Sequence, residues 1–389
     1  MTLMSAPEIY LDNAATTRPD AEVVAAMVEA LTAGYGNPSS LHGRGLDAER
    51  RVAAARAEVA NALGVPPAWV LFTSGGTEAN NLAIQGVAGS YGSRGRHLIA
   101  TAVEHSSVLA TLRALEARGW SATLLPVDRA GRVDPEEVRR ALRPDTVLVS
   151  VMAVNNEVGT VQPLAAIARI LRDARAGGRL PLLHVDAVQA FGRVPVPAAD
   201  LDLLTVSAHK VHGPKGIGAL VVREGVRLQP ILHGGEQQHG VRPGTENVPG
   251  IVGFGRAAAL LRADGPAQAE RLHRLRSRLL QRAILIDGIA VNGSLGDSAA
   301  PHILNLRVAG VRGEILVHRL EEERIYVSTG SACHSRDPQP SHVLLAMGLG
   351  REEALSSIRL SLARTTTEDE IDAAADALAR VVPELRVLV

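Results

Sequence analysis

Two charged side chains close apolar runs in this chain. Asp186 ends Leu182-Leu-His-Val-Asp186, and Lys210 stands just beyond Leu203-Leu-Thr-Val206, in Ser207-Ala-His209-Lys210. A carboxylate left unpaired in such a setting costs several kcal/mol, so a partner is expected for it. A lysine amine can condense with an aldehyde, and an aspartate can hold a proton on a pyridine nitrogen. Hydroxyl and imidazole donors such as Ser207 and His209 can grip a phosphate. One prosthetic group has all three needs, pyridoxal phosphate, and the chemistry expected is therefore that of amino acids.

Further candidates follow other apolar runs. Thr73-Ser-Gly-Gly76-Thr77-Glu opens a helical stretch, so Gly76 and Thr77 offer amide and hydroxyl donors to an anion at a helix N-terminus. His105 follows the next run and can stack on a flat ring. Asn155-Asn156-Glu157 can bond a ring substituent, and Gln189 can meet the phenolic oxygen of the cofactor. Taken singly, each has a plain structural reading: a helix N-cap for Thr77 or Asp186, an Asx turn for Asn155–Asn156, a snorkelling surface residue for Lys210. Lys215, between Pro214 and Gly216, competes with Lys210, but its turn reads as geometry. Five such sites on successive strand ends carry the argument.

The elements that must position them alternate. Seven short apolar runs, from Val70-Leu-Phe-Thr73 to Gly218-Ala-Leu-Val-Val222, are mostly separated by helix-like stretches at Glu78–Ser90, Ser107–Arg118, Pro135–Leu142 and Leu164–Arg175. That pattern predicts an α/β fold with a large, mostly parallel seven-stranded sheet covered on both faces, its site at the carboxyl ends of the strands. The last two runs lack a helix between them, so an antiparallel strand is expected there. After a helical stretch at Ala267–Ile284 the pattern becomes a smaller α+β unit, with strands at Ile303–Val308, Ile325–Ser328 and Ser357–Ala363 and helices at Gly313–Glu322, Ser341–Met347 and Glu368–Val381. The expected division is a large domain over 15–262 and a small one from 1–14 and 263–389, the latter carrying a loop at about 329–341.

Composition narrows the function. Forty-one basic residues balance 41 acidic ones, and aromatic residues make up 2%, so neither nucleic acid nor a membrane is an expected partner. One cysteine, Cys333, cannot form an internal disulfide, and the first ten residues have no signal-peptide pattern. A soluble cytoplasmic protein is expected.

Together the motifs are recognisable. Tyr10-Leu-Asp-Asn-Ala-Ala-Thr-Thr17, Gly36-Asn-Pro-Ser39, Thr73–Asn80, Val154-Asn-Asn-Glu-Val-Gly159, His184–Gln189, His209–Gly218, Arg242-Pro-Gly-Thr-Glu-Asn247 and Ser331-Ala-Cys333 resemble the cysteine desulfurases nearly end to end. Within that family the chain is similar to the group supplying sulfur for iron–sulfur clusters and nitrogenase. The resemblance implies a homodimeric, aminotransferase-like fold type I enzyme that converts L-cysteine to L-alanine and leaves the sulfur on Cys333 as a persulfide. By matched motif, Lys210 is the Schiff-base lysine, His105 the ring-stacking acid/base, and Asp186 the partner of the pyridine nitrogen. Asn156 and Gln189 contact the ring-oxygen side. Gly76, Thr77, Ser207 and His209 bind phosphate, joined by Thr245 of the partner subunit. Arg359 holds the substrate carboxylate, with Asn156 beside it. A sulfur-acceptor or iron–sulfur scaffold protein is the implied partner, and Cys333 a candidate transient cluster ligand.

The residues agree with that transfer. A guanidinium suits an α-carboxylate, and a thiolate suits attack on a thiol sulfur. Cys333 stands among Ser331, His334, Ser335, Arg336 and Asp337, which reads as an exposed, reactive loop. About seven extended residues could carry its sulfur up to about 25 Å, so a shuttling loop is expected. Three rivals remain at this level. A selenocysteine lyase or other β-eliminating enzyme would not need the loop cysteine. A noncatalytic persulfide or iron–sulfur carrier would not need Lys210, Asp186 and His105. An aminotransferase would be indifferent to Cys333. His209 and His212 give only a weak metal signal.

Overall fold

The structure is a computed structural model that describes residues 8–175, 177–330 and 339–387. A short strand, β1 (Ile9–Tyr10), precedes two helices, α1 (Ala21–Thr32) and α2 (Gly43–Leu63). Strands and helices then alternate: β2 (Val70–Thr73), α3 (Gly76–Tyr91), β3 (His97–Thr101), α4 (Ser106–Glu116), β4 (Ser121–Leu125), α5 (Pro135–Ala141), β5 (Thr146–Met152), α6 (Leu164–Ala174) and β6 (Leu182–Asp186). Two further strands, β7 (Leu203–Ser207) and β8 (Gly218–Val222), complete a seven-stranded sheet in the order β2-β8-β7-β6-β5-β3-β4.

β8 alone runs against its neighbours, pairing antiparallel with β2 and β7; β3 to β7 pair parallel throughout. The reversal follows from the short β7–β8 connection, which has no crossover helix to turn the chain back. All seven residues of β5 and all five of β6 and β7 are buried, as expected for strands covered on both faces. On one face Phe72 and Phe191 meet Phe254 edge-on at 6.4 and 6.2 Å. On the other, Leu82, Ile84 and Val87 of α3 pack with Leu112 of α4 against Leu98 and Leu148.

The chain passes from β3 to β4 on one side, then returns to lay β5, β6 and β7 on the other. The switch lies between β3 and β5, the place where sheets of this kind form a crevice beyond the carboxyl ends of their strands. Thr73, Thr101, Met152, Asp186 and Ser207 end their strands at this edge.

The stretch read as a helix from Ala267 is the second half of α7 (Val248–Ala283). Asn247 caps its start by accepting from the Gly250 amide, and Pro249 stands in the first turn, where its missing N–H costs nothing. Four glycines in 248–265 hide this helix from propensity reasoning. One of them is required by packing: a Cβ on Gly255 would lie 2.6 Å from the Ala55 Cα of α2. At Gly265, with φ 59°, the helical path breaks before Pro266.

Beyond it lie β9 (Ile289–Asn292), β10 (Ile303–Val308), α8 (Gly313–Glu322), β11 (Ile325–Tyr326), α9 (His342–Ala346), α10 (Arg351–Leu355), β12 (Ser357–Ser361) and α11 (Glu368–Val387). β12, β10 and β9 form an antiparallel sheet, and β1 pairs parallel with β11. Ile9 and Leu11 from the start of the chain share a separate apolar cluster with this region. Among the described residues, no helix is long and apolar enough to cross a membrane.

Candidate active site

Residues 10–17 form a strap across the crevice. Asn13 donates to the Ser361 carbonyl, the Ala14 amide donates to Ser361 Oγ, and the Thr17 amide donates to the His209 carbonyl. The strap therefore ties β12 to the turn after β7. Lys210 projects from that turn, and its Nζ donates to the Ala14 and Ala15 carbonyls at 2.7 Å each. Burial, then the guanidinium charges of Arg359 and Arg193, pull the Lys210 ammonium down to about 8. A lysine so lowered holds a useful fraction of nucleophilic amine near neutral pH. Arg193 is itself buried, donates to the Lys210 carbonyl, and is drawn down by burial to about 10.

The anion end lies beside it. Ser74, Gly75, Gly76, Thr77, Ser207, His209 and Lys215 line a cavity of about 380 Å³, closed on one side by Ala15 and Thr16. Gly75 gives the first turn of α3 no side-chain cap, so its amides face the cavity free of one. Ser207 Oγ is buried there without a hydrogen-bond partner among the described residues. Burial, followed by the charges of Lys210 and Lys215, lowers His209 to about 4, so it is neutral and its Nδ1 lies 3.3 Å from Thr16 Oγ1. An orphaned hydroxyl, an uncapped helix N-terminus and a lysine around one cavity suit a phosphate.

Asp186 is 6% exposed at the end of β6. Its Oδ1 accepts from the Val188 amide at 3.0 Å and its Oδ2 from Asn80 Nδ2 at 2.8 Å. His105, exposed at the N-terminus of α4, accepts through Nδ1 from the Ser107 amide at 3.2 Å, with Ser107 Oγ at 2.8 Å. Asn155 and Asn156 divide their work. Asn155 makes the Asx turn, accepting from the Glu157 and Val158 amides; the Asn156 carbonyl accepts from Arg359 at 2.8 Å. Gln189 donates to the Ala14 carbonyl at 2.9 Å, the same oxygen that holds Lys210, and its Oε1 lies 3.3 Å from His302 Nε2. Arg359 is 4% exposed, and its Nε has no partner among the described residues. Thr245 lies exposed before α7, with no part in the cavity around Ser207.

Sequence reasoning passed over Asp12, Asn80 and Arg193. Asn80 alone carried a usable signal: a polar residue one turn after Thr77, among the apolar residues of α3. Cys333, Ser331, His334, Arg336 and most of the expected 329–341 loop lie outside the described residues. His209 and His212 do not converge on an ion: His212 Nδ1 is engaged by the Arg18 carbonyl, and no metal-holding group of three or more acidic, histidine or cysteine side chains occurs among the described residues.

A lysine of lowered pKa, a buried carboxylate and an anion-suited cavity around the carboxyl edge of a mostly parallel sheet fit a fold type I enzyme of the pyridoxal-phosphate class. The aminotransferase class-V family matches residues 9–374. The cysteine desulfurase IscS of Methanosarcina thermophila is 42% identical over 380 residues, covering 97% of this chain and 93% of that protein. A NifS-like protein of known structure superposes with a TM-score of 0.91 at 38% identity, covering 97% of this chain and 100% of that one. SspA, solved in complex with cysteine, superposes at 0.79 with 34% identity, covering 93% and 100%. The chain belongs to the class-V aminotransferase family, among the cysteine desulfurases.

Proposed function

We infer that the chain is a pyridoxal-phosphate-dependent cysteine desulfurase that makes L-alanine from L-cysteine and passes the sulfur to Cys333. The position of Lys210, lowered to about 8 beside the anion cradle, is the observation that carries the chemistry. The names of its relatives, and the cysteine bound by SspA, support the substrate.

When bound, pyridoxal phosphate supplies an electron sink for the carbon skeleton of the amino acid. Gly76, Thr77, Ser207 and His209 hold its phosphate, with Thr245 of the partner subunit. Asp186 would keep its ring nitrogen protonated, and Asn156 and Gln189 would contact its ring-oxygen side. Arg359 holds the substrate carboxylate through its remaining donors, with Asn156 beside it. Lys210 Nζ takes the Cα proton, and His105 serves proton traffic at the substrate thiol as a donor, through its Nε2–H. Cys333 thiolate then attacks the substrate sulfur. The S–S bond forms as the Cβ–S bond breaks, and the electron pair stays with the carbon fragment that becomes alanine.

The working unit is a homodimer, a reading supported by apolar residues left exposed on and beside α1 and α2: Val28, Leu31, Tyr35 and Leu41. The chain divides near the Gly265 kink into 15–262 and 1–14 with 263–389, a reading supported by the separate apolar cluster that Ile9 and Leu11 share with residues 272–385. It acts in the cytoplasm, as a chain that needs no disulfide can, and delivers its persulfide to a sulfur-acceptor or scaffold protein. Cys333 is a transient cluster ligand at most. Alanine formation from L-cysteine by the cofactor-loaded protein tests the reading. Wild type should form it and Lys210→Ala should not; cofactor-loaded wild type that forms none refutes the assignment.

A further inference from the structure

Asn80 sits on α3 with 1% of its surface exposed, between the site's carboxylate and its imidazole. Its Nδ2 has two protons and both are used, one toward Asp186 Oδ2 at 2.8 Å and one toward Ser107 Oγ at 2.9 Å. The amide cannot turn over. A flip would press Asn80 Oδ1 against a carboxylate that only accepts, and would leave Ser107 without its donor. The fold keeps this orientation although Asn80 Oδ1 is then buried without a partner among the described residues. A buried, unsatisfied carbonyl is destabilising, so something must hold it that way.

The consequence passes along the line. Ser107 Oγ accepts from Asn80, so its own proton is free to be donated, and His105 Nδ1 lies 2.8 Å away. The Ser107 backbone amide, which can only donate, points at the same nitrogen from 3.2 Å. Two donors on Nδ1 leave no room for a proton there. The ring proton must sit on Nε2, the nitrogen away from this line and toward the open side of the exposed imidazole.

We propose that Asn80 and Ser107 are positioning residues that fix His105 as its Nε2–H tautomer and tether that ring to Asp186 through one unbroken line of hydrogen bonds. The catalytic role of His105 rests on the desulfurase reading; the hydrogen-bond line does not. For the reaction, the line presents an N–H donor to the substrate side and keeps the imidazole in register with the carboxylate facing the ring nitrogen. Neither Asn80 nor Ser107 has to touch the substrate to do this.

The test uses full-length, cofactor-loaded protein with ¹⁵N-labelled histidine, read by two-bond ¹H–¹⁵N correlation. His105 is identified by the signal that His105→Gln removes. Wild type should show a bare Nδ1 and a protonated Nε2. In Ser107→Ala, which removes one oxygen and keeps the backbone amide, the tautomer ratio should shift roughly fivefold toward Nδ1–H. Asn80→Ala should shift it the same way, and Ser107→Thr, which keeps a hydroxyl, should restore it. With L-cysteine, Ser107→Ala should lower kcat roughly tenfold with KM little changed. A wild-type His105 carrying its proton on Nδ1 overturns the proposal, as does a folded Ser107→Ala whose tautomer ratio is unmoved. The expected tautomer pattern in a protein that forms no alanine upholds the hydrogen-bond line and refutes the functional reading instead.

Discussion

Asp12 Oδ1 lies 2.7 Å from Nη2 of Arg359, a pair joined across 347 residues of sequence. The Arg359 side chain is 4% exposed, and the Asn156 carbonyl holds its Nη1 from the other side. The guanidinium is thus fixed from two directions before any substrate arrives, with Nε still unpartnered among the described residues. Asp12 belongs to the same strap whose Ala14 and Ala15 carbonyls hold Lys210. The buried guanidinium of Arg359 and the amine of Lys210 are therefore held by one short segment.

Removing Asp12 should loosen the guanidinium without touching the reacting atoms. Asp12→Ala is expected to raise KM for L-cysteine about tenfold, the worth of one charge-assisted hydrogen bond, with kcat changed less than about threefold. Steady-state alanine formation measures both constants. A lowered KM would mean that Asp12 competes with the substrate carboxylate for Arg359.

The lowered Lys210 sets a pH dependence for cofactor capture. Only the neutral amine condenses with an aldehyde, and burial brings its titration down to about 8. Below that pH, the capture rate of pyridoxal phosphate by the apo protein should rise about tenfold per pH unit; above it, the rate should level. The absorbance of bound cofactor in stopped flow follows this. A rate still climbing tenfold per unit at pH 10 would place the lysine in water-like surroundings.

Glu104 gives a stability prediction. It is fully buried and burial raises it to about 8, against an ordinary 4.5, while Thr101 Oγ1 and the Met152 amide donate to its Oε1. Because the folded value is raised, its contribution is fully present below about pH 4.5 and is lost as pH climbs through 8. Across that window the unfolded chain ionises while the folded one keeps its proton. Glu104→Gln keeps the acceptor and removes the titration. Wild type should lose on the order of 4 kcal/mol relative to the variant between pH 5 and pH 8, read by urea unfolding. Parallel stability curves for the two proteins would contradict this.

The sheet was legible because its strands are buried on both faces and stand out as apolar runs, and because the missing helix before Gly218 forecast the reversed strand. Lys210, Asp186, His105 and Ser207 could be proposed from sequence because polar residues at or just beyond strand ends need partners. Asp12 and Asn80 were not, because their meaning lies in contacts across 347 and 106 residues that no local pattern encodes. The first half of α7 escaped for another reason. Gly255 there packs closely on Ala55 of α2 and Gly253 on Met27 of α1, and tertiary contact overrides their poor helix propensity.

The central claim, sulfur transfer to the chain's one cysteine, is tested most directly by mass spectrometry of cofactor-loaded protein after one turnover with L-cysteine and no added thiol. The account predicts one extra sulfur atom on the peptide containing Cys333, formed in step with one alanine per site. Cys333→Ala should lack both. Alanine formed at the wild-type rate by Cys333→Ala, with no sulfur retained on the protein, would contradict the account and identify an elimination that bypasses the thiol.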